Sequence, residues 1–201
     1  MKKLLHRKSL SWTTNTATLT KQEDLSVVAT GTNGTGDYNV VAETPLTGIR
    51  SIRLEVLAHE GSPKKGPGRS GDGNFVLTEF EVWAAPKENP DQKTKLKLVD
   101  ARSDYDQKGY PVATAIDGVS APASNGWAVS GKTGQNHYAT FALAEPVGLP
   151  GGTILTFQLK QQFKSKTHSI GKFRLSVTNS ADPILFNGVD AEIAKILEVP
   201  A

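Results

Sequence analysis

Ser51-Ile-Arg-Leu-Glu-Val-Leu57 is the stretch on which the fold turns. Ile52, Leu54 and Val56 fall on one face, Arg53 and Glu55 on the other. This is the period-two alternation of a strand covered on one side only. The pattern returns in the second half of the chain. In Ile154-Leu-Thr-Phe-Gln-Leu159, Leu155, Phe157 and Leu159 oppose Thr156, Gln158 and, one residue on, Lys160; in Lys172-Phe-Arg-Leu-Ser-Val177, Phe173, Leu175 and Val177 oppose Lys172, Arg174 and Ser176. One-sided alternation of this kind belongs to antiparallel sheets.

These strands sit within a wider echo. Tyr38-Asn-Val-Val-Ala-Glu-Thr-Pro-Leu-Thr-Gly48 is answered by Tyr138-Ala-Thr-Phe-Ala-Leu-Ala-Glu-Pro-Val-Gly148, Ser51–Leu57 by Ile154–Leu159, and Glu79-Phe-Glu-Val-Trp83 by Lys172–Val177. Internal repetition of this sort changes the architecture to expect. It predicts one all-β antiparallel sandwich over residues 17–180, with pseudo-halves at about 17–85 and 96–180. An extension (1–16) precedes it, and a segment (181–201) follows. Helical spacing occurs only in Val189–Glu198, where Ile193, Ile196 and Leu197 share a face.

Composition agrees. A chain of 201 residues that is 37% hydrophobic has enough for one substantial core, and its 11 prolines and 19 glycines lie between short apolar runs, as in all-β proteins. No run approaches the roughly 18 apolar residues of a membrane helix. The absence of cysteine removes disulfides, thiolate metal sites and cysteine catalysis. Met1-Lys-Lys-Leu-Leu-His-Arg-Lys8 has the basic start of a signal peptide, but polar Ser9-Leu-Ser-Trp-Thr-Thr14 stands where the apolar core belongs. That start and the ending Val199-Pro-Ala201 lead us to expect a piece of a larger protein, linked covalently to other domains.

The net charge of +3 is unevenly placed. From Pro146 to Ala181 there is no acidic residue, while Lys160, Lys164, Lys166, Lys172 and Arg174 are basic. Either these are solvated strand faces and a hairpin loop, or they offer a surface to an anionic partner.

Catalytic signatures are thin. Gly126-Trp-Ala-Val-Ser-Gly-Lys-Thr133 spells the phosphate-loop pattern, but the alternating Tyr138–Leu143 follows it where a helix is required. His6, His59, His137 and His168 lack metalloprotease spacing, and no serine sits in a nucleophile elbow. Glu79 with Glu81, or Asp104 with Asp106, have the spacing of co-facial strand neighbours, which are ordinarily exposed rather than an acid/base pair. The reading is a non-enzyme that binds no nucleic acid.

Binding candidates come from loops and outward faces. The long Glu60–Asn74 loop, rich in glycine and proline, holds Arg69, which suits either an anionic group or carbonyls of the loop itself. Tyr110 lies in a loop, His168 in the short Lys164–Ser169 loop, and Trp83 at a strand end where core packing and an exposed platform compete. Gln158, Lys160, Lys172 and Arg174 complete the set as a basic strand face, while Trp127 reads as core.

Gly66-Pro-Gly-Arg69, Gly73-Asn-Phe-Val-Leu-Thr-Glu-Phe-Glu-Val82, Ala115-Ile-Asp-Gly118 and Gly126-Trp-Ala-Val129 resemble the galactose-binding-like, discoidin-type jelly rolls. The closer resemblance is to the version inside large planctomycete surface proteins that also carry cytochrome c-type domains. It covers about residues 17 to 180. It implies a non-catalytic β-sandwich, exported to the cell surface, periplasm or exterior, in a superfamily that binds glycans, lipids or proteins through loops at one end. It also implies a structural calcium site at Glu79 and Asp117, since two carboxylates with loop carbonyls supply oxygen ligands. The Glu-bearing strand precedes the Asp-Gly loop here, a departure from the family order, and the alternative is a turn-forming Asp117 with a surface Glu79. The expected function is a carbohydrate-binding module for acidic or sulfated polysaccharide; the alternative is a structural or protein-interaction domain.

Overall fold

Every second side chain of Gly36–Thr44 and of Thr153–Gln161 is buried from end to end, so period-two patterning becomes two layers facing one core. The computed structural model describes residues 2–3, 17–119 and 125–180. Its strands are β1 (Lys2–Lys3), β2 (Ala17–Lys21), β3 (Val27–Gly31), β4 (Gly36–Thr44), β5 (Ile49–Val56), β6 (Glu79–Pro86), β7 (Thr94–Lys95), β8 (Leu98–Ser103), β9 (His137–Val147), β10 (Thr153–Gln161) and β11 (Lys172–Thr178). Two short 3-10 turns, Pro63–Lys65 and Val112–Ile116, are the only helical elements among the described residues. The helix expected over Val189–Glu198 lies outside them.

The described strands form two antiparallel sheets. One runs β2-β3-β11-β5-β9-β8, with β1 also on β11; the other runs β4-β10-β6-β7. The pairs β3 with β11, β4 with β10, β5 with β9 and β6 with β7 fold the first run of strands back along the second. That is the double Greek-key order of a jelly roll.

The echo in sequence has a counterpart in this order. β4 corresponds to β9, β5 to β10 and β6 to β11, and each partner lies in the opposite sheet. The pairing β4·β10 thereby becomes β9·β5, and β6·β10 becomes β11·β5; both are present.

Between the sheets, Ile52, Leu54 and Val56 meet Leu155, Phe157 and Leu159 in one buried cluster with Phe173, Leu175 and Val177. Phe80 joins the layers, its ring 4.8 Å from Phe141 and 6.3 Å from Phe157. Trp127 is fully buried edge-on to Phe75 at 5.1 Å, its indole N–H donating to the Tyr105 carbonyl at 3.0 Å.

The glycine-rich loop is packed instead of open. A Cβ on Gly66 would stand 2.2 Å from the Gly73 carbonyl oxygen, and one on Gly68 would stand 1.9 Å from that of Asn74. The loop closes on itself through Gly68 N–H to the Gly73 carbonyl (3.0 Å) and on the β10–β11 loop through Arg69 N–H to the Ser169 carbonyl (2.8 Å). Asn33 ties the same parts, donating to the Arg69 and Thr167 carbonyls and accepting from the Ser169 hydroxyl.

Candidate functional site

The structure divides the binding candidates among three places. At the loop end, the Arg69 guanidinium donates to the carbonyls of Gly31 and Thr32. It braces the β3–β4 turn. Tyr110 and His168 meet at Phe163, whose ring contacts both edge-on at 5.9 and 5.3 Å. Tyr110 is half-buried against Val76, Ala128 and Phe163, and so forms part of a small satellite core.

The basic strand face does not exist as one surface. β10 and β11 belong to different sheets, so Gln158 and Lys160 point out of one side of the sandwich and Lys172 and Arg174 out of the other. Each of the three cations has an acidic neighbour. Arg174 forks onto Glu55 at 2.7 and 2.9 Å, Lys172 stands 3.8 Å from Asp24, and Lys160 is 2.9 Å from Glu81. Hydrogen bonding to Glu55 raises the Arg174 pKa. Within the run that lacks acids, these three cations are thus answered by acids from β5, β6 and the β2–β3 turn.

The third place is the outer face and flank of the four-stranded sheet. Registry sets Asp37, Lys160 and Glu79 abreast, then Asn39, Gln158 and Glu81, then Val41, Thr156, Trp83 and Lys95. Trp83 is half-buried on this face, with the Lys95 ammonium 5.8 Å from its ring centre. Lys95 and Lys160 hold one oxygen each of Glu81, at 2.6 and 2.9 Å. Burial works against ionising Glu81, but these two hydrogen bonds outweigh it and keep its pKa below the usual range. Gln158 and Gln162 donate to Asp37 at 3.0 and 2.8 Å.

At the sheet's flank this face opens into a pocket of about 280 Å3. One wall is Glu79, Phe80 and Glu81; the second is Lys95–Leu98, where the chain leaves β7 for the other sheet; the third is Ile116–Gly118. The pocket exists because β7 is two residues long and pairs only with Trp83 and Ala84. Leu96 N–H still reaches the Val82 carbonyl at 2.8 Å. Residues i and i+2 of a strand turn their backbone groups to the same edge, so the N–H and C=O of Phe80 face the pocket past the end of β7.

Glu79 is 4% exposed and is not the surface residue the alternative reading expects. Its Oε2 accepts the Gly118 N–H at 3.0 Å, while Oε1 accepts no hydrogen bond from the described residues. Burial pushes its pKa up to about 7. The Gly118 bond opposes this, the nearby Asp117 and Glu81 charges add to it, and Lys160 again opposes.

The pair expected to hold calcium is brought together, but Asp117 is occupied as a turn former. Its Oδ1 accepts the Val119 N–H at 2.8 Å and Oδ2 accepts from Asn125 at 3.1 Å. Ca²⁺ takes six to eight oxygens, and among the described residues no group of three or more acidic or histidine side chains is placed to hold a metal ion.

The phosphate-loop look-alike is likewise structural. Trp127 is buried, and the Lys132 ammonium lies 4.6 Å over the Tyr105 ring. Residues 134–136 lead directly into β9, with no helix between. Lys95, Lys97 and Asp37 are candidate residues that the sequence does not single out, and Glu81 enters there only as a co-facial neighbour of Glu79. Glu79, Glu81 and Trp83 alternate at i, i+2 and i+4, and that spacing was the available signal for Glu81. No protein-family model, curated protein or solved structure matches the chain.

Proposed function

We propose that the chain is a non-catalytic carbohydrate-binding domain whose ligand lies on the outer face of the four-stranded sheet. The observation that carries this is Trp83. A half-buried indole stands on a rigid sheet face beside Thr156 and Lys95, with Glu81 and Gln158 one row along the sheet and Asp37 and Lys160 in the row beyond. An aromatic ring takes the apolar face of a sugar, and hydroxyls, each both donor and acceptor, suit neighbours of mixed sign.

The same charges bear on ligand type. The cations of β10 and β11 are divided between opposite sides and paired with acids, so the preference we propose is for neutral glycans over acidic or sulfated ones. From the galactose-binding-like resemblance we take a place inside a larger exported multidomain protein.

Electrophoresis through gels containing individual polysaccharides, at low and high salt, tests the reading. Retention by a neutral glycan, insensitive to salt, is expected, and Trp83→Ala should weaken it by roughly tenfold or more. Folded protein that no glycan retains would leave the structural-domain alternative standing. Retention confined to sulfated or uronate polymers and abolished by salt would restore the anionic preference.

A further inference from the structure

We propose that the flank pocket is a single-unit sugar subsite, so that the domain reads the end of a neutral glycan chain lying along β6. This rests on the carbohydrate-binding reading and adds where the chain stops. Three observations carry it.

The first is size and enclosure. At about 280 Å3 the pocket falls just below the ~300–1,000 Å3 of sites that enclose drug-sized ligands. That is room for one ring, not for a run of several. The β6 edge, the Lys95–Leu98 crossover and the Ile116–Gly118 turn line it on three sides, an arrangement that suits the end of a chain entering along the sheet face.

The second is the polar lining. Glu79 is almost wholly buried, yet one of its carboxylate oxygens has no donor among the described residues. That oxygen is not among the buried atoms left without a partner; it is open to the pocket, where a sugar hydroxyl can take the place of solvent as its donor. Next to it the unpaired backbone edge of Phe80 offers one donor and one acceptor, and the exposed Lys97 a further donor. Beside these polar groups stand Leu96, Leu98 and Ile116, which match the C–H surface of a pyranose ring.

The third is continuity. Glu81 and Lys95 line the pocket and also border Trp83 on the open face. Trp83 lies four residues along β6 from Glu79, roughly 13 Å at strand rise. A short oligosaccharide therefore spans from the indole to the pocket.

The test uses the full chain, in buffer containing a chelator, with gluco-, manno-, galacto- and xylo-oligosaccharides of increasing length and their parent polymers. For the series that binds, end recognition predicts an affinity per chain that levels off once the oligosaccharide spans from the pocket to Trp83 and is no greater for the polymer. Glu79→Gln and Lys97→Ala should each reduce affinity at least about fivefold. Glu79→Gln keeps an acceptor for Gly118, and Lys97 is exposed, so both variants are expected to fold. Affinity per chain that climbs with chain length, or that survives both substitutions, overturns the end-reading subsite while leaving glycan binding intact. Absence of binding to every series overturns both.

Discussion

Gly68→Ala is expected to destabilise the fold by about 4 kcal/mol or more, a fall in melting midpoint of roughly 8–16 °C. The new Cβ would lie 1.9 Å from the Asn74 carbonyl oxygen, 2.2 Å from its carbonyl carbon and 2.7 Å from the Phe75 nitrogen. All three are backbone atoms, so no side chain can swing aside. The turn that must open is held by Gly68 N–H to the Gly73 carbonyl, and Gly68 also bridges to Ile170 across the loop end. Opening it releases Arg69, and with Arg69 the β3–β4 turn. Gly71→Ala in the same loop is the control, because a Cβ there meets nothing within 4 Å. Thermal unfolding of the two variants compares them directly; a Gly68→Ala midpoint equal to that of Gly71→Ala would show that the loop yields.

That contrast explains how unevenly the chain could be read. The strands were legible because burial writes itself into sequence at period two. Ile52, Leu54 and Val56, or Leu155, Phe157 and Leu159, need no partner to declare which way they face. The loop end was not legible, because Gly66 and Gly68 look in sequence like flexible residues. Only the backbone of residues 73–75 reveals them as points of contact. The glycine-rich loop thus reads as an open loop when it is closely packed.

The distribution of charge is hidden for a related reason. A basic run is a local property, whereas a charged surface is set by strand order. Lys160 and Arg174 are close in sequence and part company when β10 and β11 enter different sheets. What they face, Glu81 and Glu55, comes from β6 and β5. The pocket was harder still. It arises from a strand that is too short, and Thr94-Lys-Leu-Lys-Leu98 alternates well enough to suggest one continuous strand instead of a crossing between sheets. Glu79 and Asp117, which the resemblance pairs, do line one pocket, yet their carboxylates have different partners. Asp117 builds a turn, while Glu79 turns one oxygen to the pocket.

The unfolding free energy is expected to decline as pH rises from about 4.5 to 8, with Glu79 as the largest single source. Its pKa stands at about 7 in the fold against an ordinary 4.5, so the folded protein holds the proton more tightly than the unfolded chain. The associated stability is complete below the ordinary value and is lost as pH climbs through about 7. Because the carboxyl lines a pocket that solvent enters, screening reduces the associated free energy to about 1–2 kcal/mol. His137 acts in the same direction. Burial opposes charge on its ring, but Asp104 at 2.8 Å and the Lys132 carbonyl at 2.7 Å both accept hydrogen bonds from it, and its pKa is raised. With an acceptor at each ring nitrogen, the imidazolium is the form the site fits. Its contribution is present below 6.5 and fades as pH passes its higher folded value. Asp24 and Glu81 shift the other way, below their ordinary values, so their contributions hold across this window and begin to fail only in more acid solution. Urea unfolding at intervals between about pH 5 and pH 8 reads the slope. Glu79→Gln retains an acceptor for Gly118 without the charge, so it should flatten most of the decline and be the more stable protein above pH 7, leaving a shallow remainder that belongs to His137. A wild-type profile without slope, or a Glu79→Gln profile as steep as wild type, would mean that the Glu79 carboxyl is solvated in a way its buried position does not suggest.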